Sequence, residues 1–372
     1  MTKIKMFSLS LVAFAIISCG GDTTETNTKT VGKNSNVAPG LESNTSSESS
    51  SAKDNIFRLN FSDPPTFDPA LVTDTTSASI IVEIFSGLVT LNKELDIIPD
   101  LAESWDISDD GRIYTFNLRD DIKFSNGDKV TASDFKWSIE RAANPDTGSM
   151  NAEVYLGDIV GVTEVIEAGG SLTEVSGLKV IDDKTLEITI DEPKTYFLAK
   201  LTYPTAFVLS EKYVTQQGED WIDQPVGTGP FVMTEYQIGQ TLKLKPNDNY
   251  WGEKAKVDGI IMNLAGGVSM AMYENDEVDI TGVGLADLER VKDPNDPLNK
   301  DLVNVPPQFS LNYIGFNVNM PPFDDVNFRK ALSHAVDKEI IADKIYSGLT
   351  KPAFSIIPPG FPGYSPNIEG LS

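Results

Sequence analysis

The 372-residue chain contains one cysteine, Cys19, and one histidine, His334. A single thiol excludes an internal disulfide framework, and one Cys and one His cannot form a zinc site of those ligands. A lone histidine inside an amphipathic helix reads as a surface or packing residue rather than a general base. Basic residues are also scarce. There are 30 Lys and Arg against 55 Asp and Glu, for a formal charge of −25. Such a chain lacks the basic footprint that nucleic acid requires, and it is repelled by anionic lipid. No G-x-S-x-G elbow, Walker loop or H-E-x-x-H is present, and neither "DPNDPLNKD" nor "PDTGSMNAE" has EF-hand spacing. Carboxylates are abundant, yet nothing selects a pair for glycoside chemistry. The expectation is a protein that is not an enzyme, with no cofactor and no metal. Past residue 18 no apolar run approaches the roughly 20 residues of a membrane-spanning helix.

The N-terminus is different in kind. Lys3 and Lys5 precede the apolar run "MFSLSLVAFAIIS" from Met6 to Ser18. That is too short to span a bilayer and fits a secretory signal over residues 1–18. Small Ser18 stands before Cys19, and the stretch resembles the bacterial lipobox. Cleavage there would leave Cys19 as a lipidated N-terminus, and several acyl chains hold a protein at a membrane firmly. The alternative is an ordinary signal with a chance cysteine. Removing Lys3 and Lys5 takes the formal charge from −25 to −27. Residues 22–54 are almost entirely Ser, Thr, Asn, Gly and charged residues. They bury too little apolar surface to offset ordering entropy, so residues 19–54 read as a lipidated N-terminus and flexible tether. As a random coil this tether would reach about 30 Å.

From Asn55 onward, hydrophobic content and length suit a large domain or two. "IFRLNF" alternates as a strand, and "SASIIVEIFSGLVTL" predicts a helix from about Ser77, closed by Gly87. "RIYTFNL" is a strand. A helix follows, with Thr131 or Ser133 as its cap and an end before Pro145. "LKVIDDKTLEITI" and "FVMTEYQIGQTLKLKP" predict hairpins turning at Asp182-Asp183 and near Gly239. "KVDGIIMNLA" and "SLNYIGFNVN" predict strands. Residues 325–347 predict one long amphipathic helix with Phe328, Ala331, Leu332, Ala335, Ile340, Ile341 and Ile345 on its apolar stripe. Strands and helices mix without strict alternation, giving a mixed α/β or α+β class. Trp105, Trp137, Trp221 and Trp251 read first as packing residues.

Residues 99–141 carry a dense set of motifs. They are Leu101 to Trp105 ("LAESW"), Asp110 to Arg119 ("DGRIYTFNLR"), Phe124 to Gly127 ("FSNG") and Thr131 to Phe135 ("TASDF"). "FSDPPTFDPAL", "IFSGLV", "PVGTGPF", "NDNYWG", "FNVNMPPFDDVNFRKALSHAVDKEII" and "IPPGFPGY" follow in order around them. Together these resemble the family 5 extracellular solute-binding proteins, the dipeptide- and oligopeptide-binding receptors of ABC importers. Ser86 replaces the Glu usual in the second of these motifs.

The resemblance implies a two-lobed fold of the type II periplasmic-binding-protein kind. Lobe I would be discontinuous, from residues 55–85 and 207–310. A family-specific second domain would take residues 86–206, and residues 311–372 would begin the other main lobe. The family normally continues well beyond the Pro-Pro-Gly segment, so the expectation is a C-terminally truncated chain whose helix at 325–347 leaves apolar surface uncovered. The lobes would close on ligand by hinge motion. By resemblance, a strand through Val72, Thr73, Asp74 and Thr75 lies along the ligand and reads its backbone. Ser310 and Tyr313 face the ligand from the other lobe, and Tyr155 corresponds to a cleft tyrosine of the second domain. Gly315 stands where oligopeptide receptors often carry an acidic residue. The implied function is capture of oligopeptides or dipeptides outside the cytoplasmic membrane by a monomeric, lipid-anchored protein. Delivery would be to ABC permease subunits, from a position in the cell envelope facing the periplasm or exterior. Relatives that take nickel chelates, haem, opines or oligosaccharides leave the solute open, and a surface sensor or adhesion lipoprotein is the reading from another class.

Overall fold

A computed structural model describes residues 55–171, 173–305, 310–359, 361 and 363–368. The signal sequence, Cys19 and the tether lie outside the described residues. The chain divides into two compact units, one ending at Gly282 and one beginning at Val283.

The first unit holds two four-stranded sheets and a short hairpin. Strand β1 (Ile56–Asn60) is followed by helix α1 (Thr75–Ile84). Strands β2 (Val89–Leu91) and β3 (Ile97–Pro99) form the hairpin. Strands β4 (Ala102–Ile107), β5 (Ile113–Leu118), β6 (Leu178–Asp182) and β7 (Thr185–Thr189) form an antiparallel sheet in the order β4-β5-β7-β6. Strands β8 (Phe231–Gln237), β9 (Thr241–Pro246) and β10 (Gly259–Asn263) join β1 in the order β1-β10-β9-β8. The β1–β10 pair is parallel, with Leu59 opposite Met262, while the others are antiparallel.

Local chemistry explains most of these elements. In β5 the side chains of Tyr114, Phe116 and Leu118 point inward and alternate with partly exposed Ile113, Thr115 and Asn117. Tyr114 and Phe116 sit opposite Ile188 and Leu186, so one face of both strands is apolar. Gly239 adopts φ +64° in the β8–β9 turn, a conformation that other residues resist. Helix α2 (Ala132–Ala143) opens with a capping box between Thr131 and Asp134 and buries Phe135, Ile139, Ala142 and Ala143 in the core of the β4–β7 sheet. Helix α1 starts at Thr75, two residues before the sequence expectation, because the Asp74 side chain accepts from the Ser77 amide at 2.8 Å. Its Ile80, Ile81 and Ile84 form a second core with β1, β8, β9 and β10. Each such side chain contributes roughly 1.5–3 kcal/mol on burial.

Two further contacts brace these elements, and the second joins the two cores. The "GTGP" turn packs backbone on backbone against the end of α1, where the Gly229 amide donates to the Ile84 carbonyl at 2.8 Å. A Cβ on Gly227 would lie 2.0 Å from that carbonyl oxygen, so only glycine fits. Asp68, 3% exposed, receives both guanidinium nitrogens of Arg141 from α2, at 3.1 and 2.6 Å. Its Oδ1 also accepts from the Ala70 amide at 2.9 Å, which shapes the Asp-Pro turn.

The second unit departs from expectation twice. Residues 311–316 form no strand, and Tyr313 is 81% exposed. A strand requires a ladder partner, and none pairs with this segment among the described residues. The helix expected over 325–347 is broken. It runs from Val326 to Ala335, then restarts at Lys338, where the Asp337 side chain accepts from the Ile340 amide at 2.9 Å and caps the new turn. A π turn over Ile341–Ile345 ends it. Phe328, Ile340 and Ile345 are exposed, and only Ala342 is buried. His334 is exposed as well.

Replacing Asp68 with Ala leaves the largely buried Arg141 guanidinium unpaired. Urea unfolding is expected to show a loss of about 3–5 kcal/mol for Asp68→Ala. A midpoint equal to wild type would show that the fork contributes no net stability.

Candidate functional site

Residues 72–75 connect the Asp-Pro turn to α1. None of them is paired as a strand among the described residues, Asp74 has extended backbone with φ −129° and ψ 158°, and Thr75 is already the first residue of α1. The four residues have different roles. The Val72 side chain is fully buried in the α1 core, Asp74 caps α1, and Thr73 and Thr75 are exposed.

The backbone is differentiated in the same way. The Val72 carbonyl accepts from Asn151 Nδ2 at 2.6 Å and from Tyr203 Oη at 3.1 Å. The Asp74 carbonyl accepts from the Ala78 amide at 3.2 Å. Among the described residues the Thr73 amide and carbonyl have no hydrogen-bond partner. Tyr155 lies flat on Tyr203, with ring centroids 3.7 Å apart and planes 5° apart. Burial raises both phenols above the ordinary tyrosine range, and the charges of Tyr155 and Asp74 raise Tyr203 further. Both phenols therefore stay protonated and able to donate.

Tyr155 is thus brought beside residues 72–75, through Tyr203. Ser310 and Tyr313 are exposed and belong to the second unit. Sequence reasoning missed Asn151 and Tyr203. Asn151 stands directly before helix α3 (Ala152–Leu156) and looks like an N-cap, yet its side chain makes no cap bond. Tyr203 lies in "TYFLAKLTYPTAFVLS", which reads as a helix and then a strand or loop. Among the described residues no group of three or more His, Cys, Asp and Glu could hold a metal ion, and no helix is long and apolar enough to cross a membrane.

The family model described as bacterial extracellular solute-binding proteins, family 5, middle region, matches residues 96–371. The chain belongs to this family. The dipeptide-binding protein DppE of Bacillus subtilis (strain 168) is 32% identical over 337 residues, covering 89% of this chain and 60% of that protein. The periplasmic oligopeptide-binding protein OppA of Escherichia coli (strain K12) is 31% identical, covering 82% of this chain and 57% of that protein. The structure of the Escherichia coli murein tripeptide binding protein MppA superposes with a TM-score of 0.77 at 27% identity, covering 86% of this chain and 63% of that one. The chain therefore spans about three fifths of the length of these relatives. The mixed α/β fold is of the type II periplasmic-binding-protein kind.

Several of the sequence motifs meet in a second set of contacts. Arg119 lies over the Trp251 ring at 3.7 Å and donates through Nε to the Asp100 carbonyl at 2.6 Å. Trp251 Nε1 donates to the Asp100 carboxylate at 3.2 Å. Asn249 Nδ2 donates to the Ser125 carbonyl at 3.1 Å. These contacts join the loop after β9 to the turns flanking β3 and preceding α2. Asp100 is buried here, and desolvation raises its pKa to about 6 against the opposing Trp251 and Arg119 interactions. Glu83 on α1 is 8% exposed, no hydrogen bond or ion pair engages its carboxylate among the described residues, and burial raises its pKa to about 7. Tyr250 is pushed up to about 12 by burial and then by the charges of Asp100 and Glu83, which places the three groups in one seam.

The sign of the pH effect follows. Folded Glu83 keeps its proton up to about pH 7, whereas the unfolded chain releases it near 4.5. The folded state thus binds more protons between these values, and stability is full below the window and falls as pH rises through it. Glu83→Gln should flatten this slope and stabilise the protein at pH 8 by about 3 kcal/mol. Urea midpoints at pH 5 and pH 8 measure it. Equal slopes in variant and wild type would show that Glu83 is not held neutral.

Proposed function

We propose that this chain is the substrate-binding component of an ABC importer, capturing dipeptides or oligopeptides outside the cytoplasmic membrane and handing them to the permease. The observation that carries the reading is Thr73, exposed, with its amide and carbonyl both unpaired among the described residues, in a chain of this family. An extended peptide pairs with such a residue through its main chain, which gives affinity with little regard to side chains. The names of the relatives, a dipeptide-binding protein and an oligopeptide-binding protein, support the peptide class.

The remaining parts of the proposal agree with this role. Residues 1–18 serve as a signal peptide, and Cys19 carries a lipid anchor in the cell envelope. Residues 19–54 act as a tether between the anchor and a monomeric body. Lobe I comprises 55–85 and 207–310, the second domain 86–206, and the other main lobe starts at 311. Ser310 and Tyr313 contribute to the ligand site from that side, and Tyr155 from the second domain. The protein captures ligand without converting it.

A thermal-shift screen of the chain against di-, tri- and pentapeptides and metal chelates tests the capture. Stabilisation by peptides and by no chelate is expected, and a shift with chelates alone would overturn the peptide class. Thr73→Pro removes the unpaired amide and should weaken peptide binding about tenfold, with Tm measured alongside to separate this from the backbone restriction proline imposes. Metabolic labelling with a radioactive fatty acid should mark wild type and spare Cys19→Ala. Equal labelling of both would place the anchor elsewhere.

A further inference from the structure

The polar groups around the Val72 carbonyl are arranged for more than packing. Asn151 forgoes the cap bond its position offers. Its Nδ2 donates instead to the Val72 carbonyl at 2.6 Å and to Tyr203 Oη at 3.2 Å. Tyr203 Oη donates to the same carbonyl at 3.1 Å. A carbonyl oxygen has two lone pairs, and here both are used. An amide has two hydrogens, and both of these are used as well. The triangle is closed, and the face-to-face stack of Tyr155 on Tyr203 holds one corner in place.

One residue further along, the Asp74 side chain is held by the Ser77 amide and its carbonyl by the Ala78 amide. Thr73 therefore lies between two fixed points. With the Val72 carbonyl and the Asp74 side chain and carbonyl engaged, the Thr73 amide and carbonyl between them remain unpaired among the described residues.

We propose that Asn151 and Tyr203 are positioning residues, latching the Val72 carbonyl so that the ligand's main chain pairs at Thr73 and at no other register. The ligand half of this statement rests on the peptide reading given above. The latch itself is a property of the ligand-free chain. It links residues 72–75 to the segments around α3 and Tyr203, and it reserves the Val72 acceptor so that a peptide amide cannot slip onto it. The chemical class it suits is an extended main chain that presents a donor and an acceptor from one residue.

The test uses the full chain and the variants Asn151→Ala, Asn151→Asp and Tyr203→Phe. Asn151→Asp keeps the shape but replaces the donating amide with an oxygen that repels the carbonyl. Tyr203→Phe keeps the stacked ring and removes one donor. Three quantities are read for each: Tm, the Val72 carbonyl carbon shift with the Thr73 amide order parameter, and the Kd for trialanine by calorimetry. The expected result is an unchanged Tm, a moved Val72 resonance and a Thr73 order parameter in the flexible range, below about 0.6. Trialanine affinity should fall about tenfold per lost donor, and Asn151→Asp should be at least as impaired as Asn151→Ala. A purely structural role would instead lower Tm and affinity together. Unchanged resonances and order parameters in all three variants overturn the latch, whatever the affinities. A wild-type chain that binds no peptide overturns the peptide reading, while the ligand-free resonances still decide the latch. Should Asn151→Ala fail to fold, Tyr203→Phe carries both measurements.

Discussion

The bidentate pair between Arg141 and Asp68 is the constraint on which residues 55–282 are arranged. Asp68 belongs to the turn after β1, and Arg141 to the last turn of α2, so the pair spans the two apolar cores. A carboxylate buried to this degree persists only when its charge is matched and its oxygens are hydrogen-bonded, and Arg141 with the Ala70 amide supplies both. The pair sits four residues before Val72. The direction in which the chain leaves the Asp-Pro turn, and hence where Thr73 lies relative to Tyr155 and Tyr203, follows from it.

A charge of −25 makes such pairs selective. Several of the cations in the first unit are placed where segments meet. Arg119 covers Trp251 and grips the Asp100 carbonyl. Lys194 and Lys200 both reach the Asp158 carboxylate, at 2.8 and 2.6 Å, tying the stretch after β7 to the turn after α3. Exposed pairs elsewhere, such as Lys256 with Glu253, contribute little. The acidic surface stays solvated and self-repelling, while the buried cations act as joints. Glu83 is the exception. No cation reaches it among the described residues, and the backbone of the Gly227–Gly229 turn packs against the backbone at the end of α1. Its charge is avoided by protonation rather than matched.

Local signals in the sequence were legible where the structure is local. The alternation in β5 and the hairpins β6–β7 and β8–β9 rest on contacts within a few residues, and period and turn residues reveal such contacts. The parallel pairing of β1 with β10 joins residues about 200 positions apart, and nothing in either strand names the other. The break at Val336–Asp337 had a visible signal, since Asp before Lys-Glu-Ile is an N-cap, but the apolar period of residues 328–345 hid it. Residues 311–316 have strand composition without a ladder partner among the described residues, and composition alone does not make a strand. By resemblance, Tyr155 and residues 72–75 were expected near one another, and Tyr203 links them in the structure. Asn151 was not expected there, because an asparagine before a helix has a simpler use than the one it serves here.

The division between motif and site has a physical cause. Gly227 and Gly229 admit no side chain against the end of α1, and Arg119, Asn249 and Trp251 each make a specific contact between segments. Thr73 has an amide and a carbonyl without hydrogen-bond partners among the described residues, and nearly every residue type possesses such groups. Selection on such a contact acts on the position of the backbone rather than on the identity of the side chain. The side chains that do carry information are therefore those that hold the backbone in place, and they act at one remove: Asp68 through its turn, Asp74 through its cap, and Asn151 with Tyr203 through a single carbonyl oxygen. A main-chain contact is indifferent to side chains, so it leaves little trace in a sequence even where the scaffold around it is recognisable.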